Sequence, residues 1–235
     1  IQLVATVHAG GLLLLAEAGA EGVVGFCYAF AALRGGEAHL HSDMLAVRPD
    51  WRGRGLGLAL KWAQREEALR RGLRLVTWTF DPMRAGNARL NLARLGATAG
   101  ELLPDFYGTT SSNLHQGLPT DRRPAGGDLG SDRVRARAAG EAPPADAERA
   151  DGDVLLAIPA DWDAVCRGDL ARARTLQEET SRSFARLFAG GYVAVDCLSP
   201  ADGLARYVLR RAAPGSSPVA AGSAGSDDHS LQDPA

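Results

Sequence analysis

Side chains alternate over residues 39–47, the pattern of a strand, and the apolar stretch 22–32 is a second strand candidate. Val24, Phe26 and Tyr28 share a face of the stretch 22–32, and Arg34-Gly35-Gly36 turns the chain into strand 39–47. Residues 2–8 and 12–17 are apolar and separated by Gly10-Gly11, which predicts a hairpin or a strand entered by a turn. Short connections make the three successive strands antiparallel. The period then changes. Leu56, Ala59, Leu60 and Ala63 fall on one face of a helix, Glu66, Glu67, Arg70 and Arg71 lie toward solvent, and Gly72 ends it. Residues 73–80 read as a buried strand, parallel to 39–47 and reached by a right-handed crossover. Residues 84–95 form a second helix, with Gly96 where a C-terminal glycine cap belongs.

The later half is less regular. Over 118–152 the composition turns to Gly, Pro, Ala, Asp and Arg, and the RRPAGGDLG run at 122–130 is a poor strand, so a linker or irregular excursion is expected. Residues 97–103 offer one further strand. A strand (154–158), a helix (169–189) and two strands (192–198 and 205–210) follow. The expected division is a core over 1–117, the excursion over 118–152, an α/β unit over 153–211 that completes or extends the sheet, and a disordered tail over 212–235.

Composition narrows the class. The chain of 235 residues is 46% hydrophobic with a net charge of −2, enough for one good core and too balanced for a broad field toward nucleic acid or an anionic membrane. Cys27, Cys166 and Cys197 are far apart and without metal spacing, which suits a reducing, cytoplasmic setting. The apolar run at 12–16 is too short to span a bilayer and has no basic segment before it.

Between strand 39–47 and the helix lies Arg52-Gly53-Arg54-Gly55-Leu56-Gly57. Helix-start amides have no partner within the helix and sit at the positive end of its dipole, so they favour an anion. Glycines at every second position clear the way for a bulky diphosphate and accept any backbone angle. The spacing is neither the G-x-G-x-x-G of a dinucleotide fold nor a P-loop. It resembles the Arg/Gln-x-x-Gly-x-Gly/Ala signature of the GNAT acyltransferase superfamily, and Leu45-Ala46-Val47-Arg48-Pro49 before it is similar to that family's apolar run and proline. The resemblance implies an α/β fold with a GNAT-like mixed central sheet flanked by helices, here with a C-terminal β-α-β-β unit. It implies acetyl-CoA or another acyl-CoA as co-substrate, its pyrophosphate at Arg52, Gly53, Arg54, Gly55, Leu56 and Gly57 and its pantetheine arm at Leu45, Ala46 and Val47. Asn87, on the second helix, is a further CoA contact by the same resemblance. The family usually begins with a strand and two helices that shape the acceptor site, and there is no room for them before Gln2, so either the chain starts late or that site is built otherwise.

Acyl transfer from a thioester needs orientation, a base for the incoming ammonium, stabilisation of the oxyanion and an acid for the thiolate. His39, His41 and Asp43 alternate on the strand before the loop and fall on one face, which makes Asp43 or His41 the candidate base and an outward polar face the plain alternative. A metal is not indicated, because one strand row does not make ligands converge. Where the family has a tyrosine four residues before the glycine, this chain has Leu92; Tyr107 is the candidate acid. Trp78 and Phe80 suit the core or an acyl pocket, and Cys27 and Cys197 suit the core.

The expected function is an N-acyltransferase, most simply an acetyltransferase, in which an amine of a small molecule or amino acid attacks acyl-CoA directly. Neither nucleic acid nor membrane is an expected partner, and a homodimer is one possible assembly. The alternative is a catalytically degenerate CoA-binding or interaction module.

Overall fold

The computed structural model describes residues 2–106, 108, 118–141 and 150–212. In chain order the elements are α1 (Gln2–His8), β1 (Leu12–Glu17), β2 (Val23–Arg34), β3 (Glu37–Val47), α2 (Leu56–Arg70), β4 (Leu75–Phe80) and α3 (Ala85–Ala88). They continue through β5 (Arg123–Asp128), α4 (Asp132–Ala138), β6 (Val154–Pro159), α5 (Trp162–Gly168), α6 (Leu170–Ala189), β7 (Tyr192–Ala201) and β8 (Leu204–Arg211). The fold is mixed α/β: a five-stranded sheet in the order β1-β2-β3-β4-β5, flanked by helices, and a three-stranded sheet in the order β6-β8-β7.

The sequence pattern accounts for the first sheet. β1, β2 and β3 pair antiparallel through short turns, and β4 returns parallel to β3 after α2. Leu12, Ala29, Leu40, Val76 and Trp78 are buried on the sheet. Leu73 N–H donates to the carbonyl of Ala68 at 2.9 Å, closing α2 at Gly72, whose φ of 74° suits glycine. The helix after β4 is longer than α3 alone, because Arg89–Arg94 continue it in a wider π turn. Gly96 follows with φ of 73°.

Two expectations are corrected. Residues 2–8 are helix α1 and not a strand. β1 pairs only with β2, so the preceding segment finds no strand partner and satisfies its own backbone, with Ala9 N–H bonded to the carbonyl of Ala5 and Gly11 N–H to that of Thr6. Residues 118–152 are not only an excursion, since β5 and α4 lie within them. β5 forms six antiparallel pairs with β4 from Leu75↔Asp128 to Phe80↔Arg123. Its RPAGGD composition hides it because strand 123–127 is buried on both faces and carries no alternation; small residues let α4 come close, and a Cβ on Gly127 would lie 3.6 Å from Val134.

Residues 97–103 contribute single bridges instead of a continuous strand, yet they link the two sheets. Thr98 bridges Gly126 of β5, and Ala99 bridges Ala194 of β7. The C-terminal unit is therefore a sheet of its own that is joined to the first. Asp161 and Asp169 cap α5 and α6 by accepting from Ala164 and Arg172 N–H, each at 2.9 Å. Tyr207 on β8 donates its hydroxyl to the carbonyl of Pro82 at 2.9 Å, and Arg84 pairs with Asp163 at 3.0 Å, so the second unit grips the turn after β4. Of the expected tail 212–235, all but Ala212 lies outside the described residues. Among the described residues no helix is long and apolar enough to cross a membrane.

Candidate functional site

The site begins where two parallel strands part. β3 and β4 pair at Leu40↔Val76, His41↔Thr77 and Ser42↔Trp78 and nowhere beyond, although β3 runs on to Val47 and β4 to Phe80. On its other edge β3 stays attached to β2, through Leu45↔Cys27, Ala46↔Phe26 and Val47↔Gly25. The register between β2 and β3 shifts there, Ala29 facing Ser42 and Tyr28 facing Met44, so Asp43 is the extra residue of a β-bulge. A fork results, with no strand paired on the β4 side of residues 43–47.

The fork leads into the glycine loop. Arg52 Nε donates to the carbonyl of Val47 at 3.1 Å, tying the loop to the strand end. Arg48 is clamped by Asp50 at 2.8 and 2.7 Å and by Glu21, and that guanidinium holds the Asp50 carboxyl below its ordinary value. The Arg54 guanidinium stacks over the Trp51 ring at 4.5 Å. Arg52, Gly53, Arg54 and Gly55 are exposed, and Leu56 and Gly57 are half-buried. Gly53 and Gly55 adopt φ of 76° and 81°, and no atom would crowd a Cβ at either. Gly55 is the N-cap of α2 and no side chain caps the helix. At Gly57 a Cβ would meet Leu45 at 3.7 Å, an ordinary contact. An exposed cradle of uncapped amides and two arginines fits a diphosphate.

On β3, His41 Nδ1 lies 2.9 Å from Thr77 Oγ1 and its ring is tilted against Phe30. Burial lowers the His41 pKa, and the Asp43 carboxylate partly restores it. His39 is buried with Nδ1 unpartnered, and burial likewise lowers its pKa. Asp43 is exposed on the bulge, so the strict alternation expected for the three residues stops at Ser42. Asn87 is exposed on α3, at the same end of the parallel strands as the loop. Leu92 is fully buried, and Tyr107 lies outside the described residues.

Three neighbours of the fork escape the sequence reading. Ser42 and Thr77 are small hydroxyl residues inside strands, with nothing in their pattern to mark them. Lys61 does carry a signal: it is the only lysine in the chain. It lies on the buried side of α2, where Nζ donates to Ser42 Oγ at 2.7 Å and to Gln64 Oε1 at 3.3 Å and rests over the Trp78 ring at 4.5 Å.

Residues 9–91 match the family model of the acetyltransferase (GNAT) domain, from the turn before β1 to the π turn after α3. This segment is similar to a GNAT domain. Comparison with curated protein sequences gives no match. Among solved structures, the ribosomal-protein-alanine N-acetyltransferase of Brucella melitensis is 22% identical with a TM-score of 0.46, covering 55% of this chain and 75% of its own. Arabidopsis thaliana Naa50, in complex with a CoA bisubstrate analogue, is 16% identical with a TM-score of 0.44, over 54% of this chain and 79% of its own. A putative acetyltransferase from Salmonella typhimurium with its cofactor acetyl-CoA is 23% identical with a TM-score of 0.44, over 55% and 70%. The matched segment holds both arms of the fork and the glycine loop, while β5, α4 and the second sheet lie beyond it.

Proposed function

We propose that the protein is an N-acyltransferase that passes an acyl group, most simply acetyl, from acyl-CoA to an amine. The observation that supports this most directly is the fork: β3 leaves β4 after Ser42 and, with no strand paired on that side, leads through the glycine loop into a helix start that no side chain caps. Leu45, Ala46 and Val47 would bind the pantetheine arm through their backbone, and Arg52 through Gly57, with Asn87, would hold the pyrophosphate. Acyl-CoA supplies an activated thioester, so the protein has to orient and to move protons. His41 is the favoured base. With its pKa lowered it is neutral at pH 7, and in the tautomer that donates Nδ1–H to Thr77 Oγ1 its Nε2 takes the proton that the incoming ammonium loses before the amine attacks. Asp43 supports His41 electrostatically, and Tyr107 is the proposed donor to the leaving thiolate. The acceptor is an amine of a small molecule or an amino acid.

Two measurements test the reading together. CoA should raise the unfolding temperature in a saturable way, and acetyl-CoA should release thiol with at least one member of an amine panel. No thermal shift at millimolar CoA would overturn the site; a shift without thiol release would leave a CoA-binding module.

A further inference from the structure

Beside the fork, on the α2 face of the sheet, a small cavity of about 30 Å³ lies between α2, β4, β5 and α4. Lys61, Gln64, Arg65 and Trp78 supply its polar lining, and Val76 and Leu129 are among its apolar walls. Lys61, Gln64 and Trp78 are all more than nine-tenths buried. Among the described residues no carboxylate pairs with Lys61; the Cys27 thiol is the one group whose charge would favour the ammonium, and burial raises that thiol's own pKa, keeping it neutral. Three N–H groups of the lining side chains are buried without a protein acceptor: Gln64 Nε2, Arg65 Nε and Trp78 Nε1. Arg65 uses another nitrogen, donating from Nη2 to the carbonyl of Leu129 at 2.8 Å.

Buried donors left unpaired are costly, and a buried cation without a counter-ion is more so. Here both problems meet around one space, and both are relieved by an acceptor that carries negative charge. We propose that this cavity is a binding site for a small monovalent anion of the size of chloride or formate, held by the Lys61 ammonium and the N–H groups of Gln64, Arg65 and Trp78. The volume admits an ion of that size. The site is distinct from the glycine loop, since Lys61 stands six residues past Gly55, about 9 Å along α2 at 1.5 Å per residue. The choice of lysine fits the role. In a chain whose other strong cations are all arginine, the one ammonium is a compact point charge that can face a monatomic ion.

The single lysine makes the test direct. Protein labelled with [ε-13C]lysine gives one Lys61 signal, which should move saturably when chloride replaces gluconate at constant ionic strength and should titrate at higher pH in chloride. The ionisable groups acting on Lys61 or standing near it are Cys27 on β2, His41 on β3 and Arg65 on α2. Bromide soaked into crystals of the unmodified protein should give an anomalous peak in the cavity, and Gln64→Leu should weaken the chloride response severalfold. An identical Lys61 signal in chloride and gluconate, together with no bromide peak in the cavity or a peak only at the glycine loop, would overturn the proposal and assign the space to water.

Discussion

His41 Nδ1 and Thr77 Oγ1 meet at 2.9 Å across adjacent parallel strands, one residue before those strands part. The bond fixes the imidazole at the mouth of the fork and occupies one of its two nitrogens. Replacing His41 with Ala is expected to lower kcat by about 10²–10⁴, the usual range for a general base, with CoA affinity unchanged. Thr77→Val keeps the shape and removes the partner, so a smaller loss in the same parameter is expected. Thiol-release kinetics beside a CoA thermal-shift titration check both; loss of CoA binding in His41→Ala would remove the basis for a proton-transfer role.

The pH profile follows from the same contact. The His41 pKa lies below its ordinary value of 6.5 because burial disfavours the imidazolium, and Asp43 offsets part of that. A base works when deprotonated, so activity should rise through a pKa below 6.5 and then level off. Asp43→Asn removes the offset and should shift this acid limb to still lower pH. A shift to higher pH would contradict the placement of Asp43 beside His41.

The glycine loop can be tested with a pair of matched side chains. Gly55 has φ of 81° and open space where a Cβ would stand, and Asn and Asp are the non-glycine residues that best tolerate that left-handed region. Gly55→Asn and Gly55→Asp should therefore both fold. Only Gly55→Asp sets a carboxylate against the proposed diphosphate, and it should weaken CoA binding by at least about tenfold relative to Gly55→Asn. Equal affinities by calorimetry would mean that the pyrophosphate lies elsewhere.

The sequence makes some of this arrangement legible and hides the rest for physical reasons. Strand, loop and helix from β3 through α2 are readable because one buried face imposes a period of two and then of 3.6, with glycines marking the change. β5 is hidden because Arg123, Pro124, Ala125, Gly126 and Gly127 are all buried, so no alternation is left to see. α1 is misread because a seven-residue stretch rich in apolar side chains does not say whether a strand partner exists. The bulge at Asp43 cannot be seen from β3 alone, since it is a mismatch of register with β2. Helical spacing locates Leu60 as buried but not Lys61 beside it; only the rarity of lysine in this chain marks that position.

Lys61 also links stability to pH. Burial lowers its pKa from 10.5 to about 8, so between those values the unfolded chain binds a proton that the folded protein does not. Stability attributable to Lys61 therefore rises with pH across that window, by up to about 3 kcal/mol in a buffer without small anions. Subtracting the same profile for Lys61→Met isolates the effect from other titrating groups. Chloride should flatten the difference, since an anion beside the ammonium raises its pKa again.

Arg123 offers the last test, at the junction of the two sheets. It is fully buried on β5, its guanidinium carbon lies 3.4 Å from the Phe184 ring centre, 4.5 Å from that of Phe188 and 5.2 Å from that of Tyr207, and Nε, Nη1 and Nη2 have no hydrogen-bond partner. Burial lowers its pKa to about 10. Three aromatic faces return about 2 kcal/mol of cation–π attraction, less than the several kcal/mol it costs to strip water from a cation. An unbranched apolar side chain of similar length should sit among the same rings without that cost. Arg123→Met is expected to leave stability unchanged or raise it by about 1–3 kcal/mol, whereas Phe184→Ala should lose about 3–5 kcal/mol by opening a cavity and exposing the cation to nothing. The double variant should lose less than Phe184→Ala alone, because the unpaired charge is gone. Urea unfolding of the four proteins decides it: a loss above about 3 kcal/mol in Arg123→Met would show that the aromatic cage more than repays the buried guanidinium.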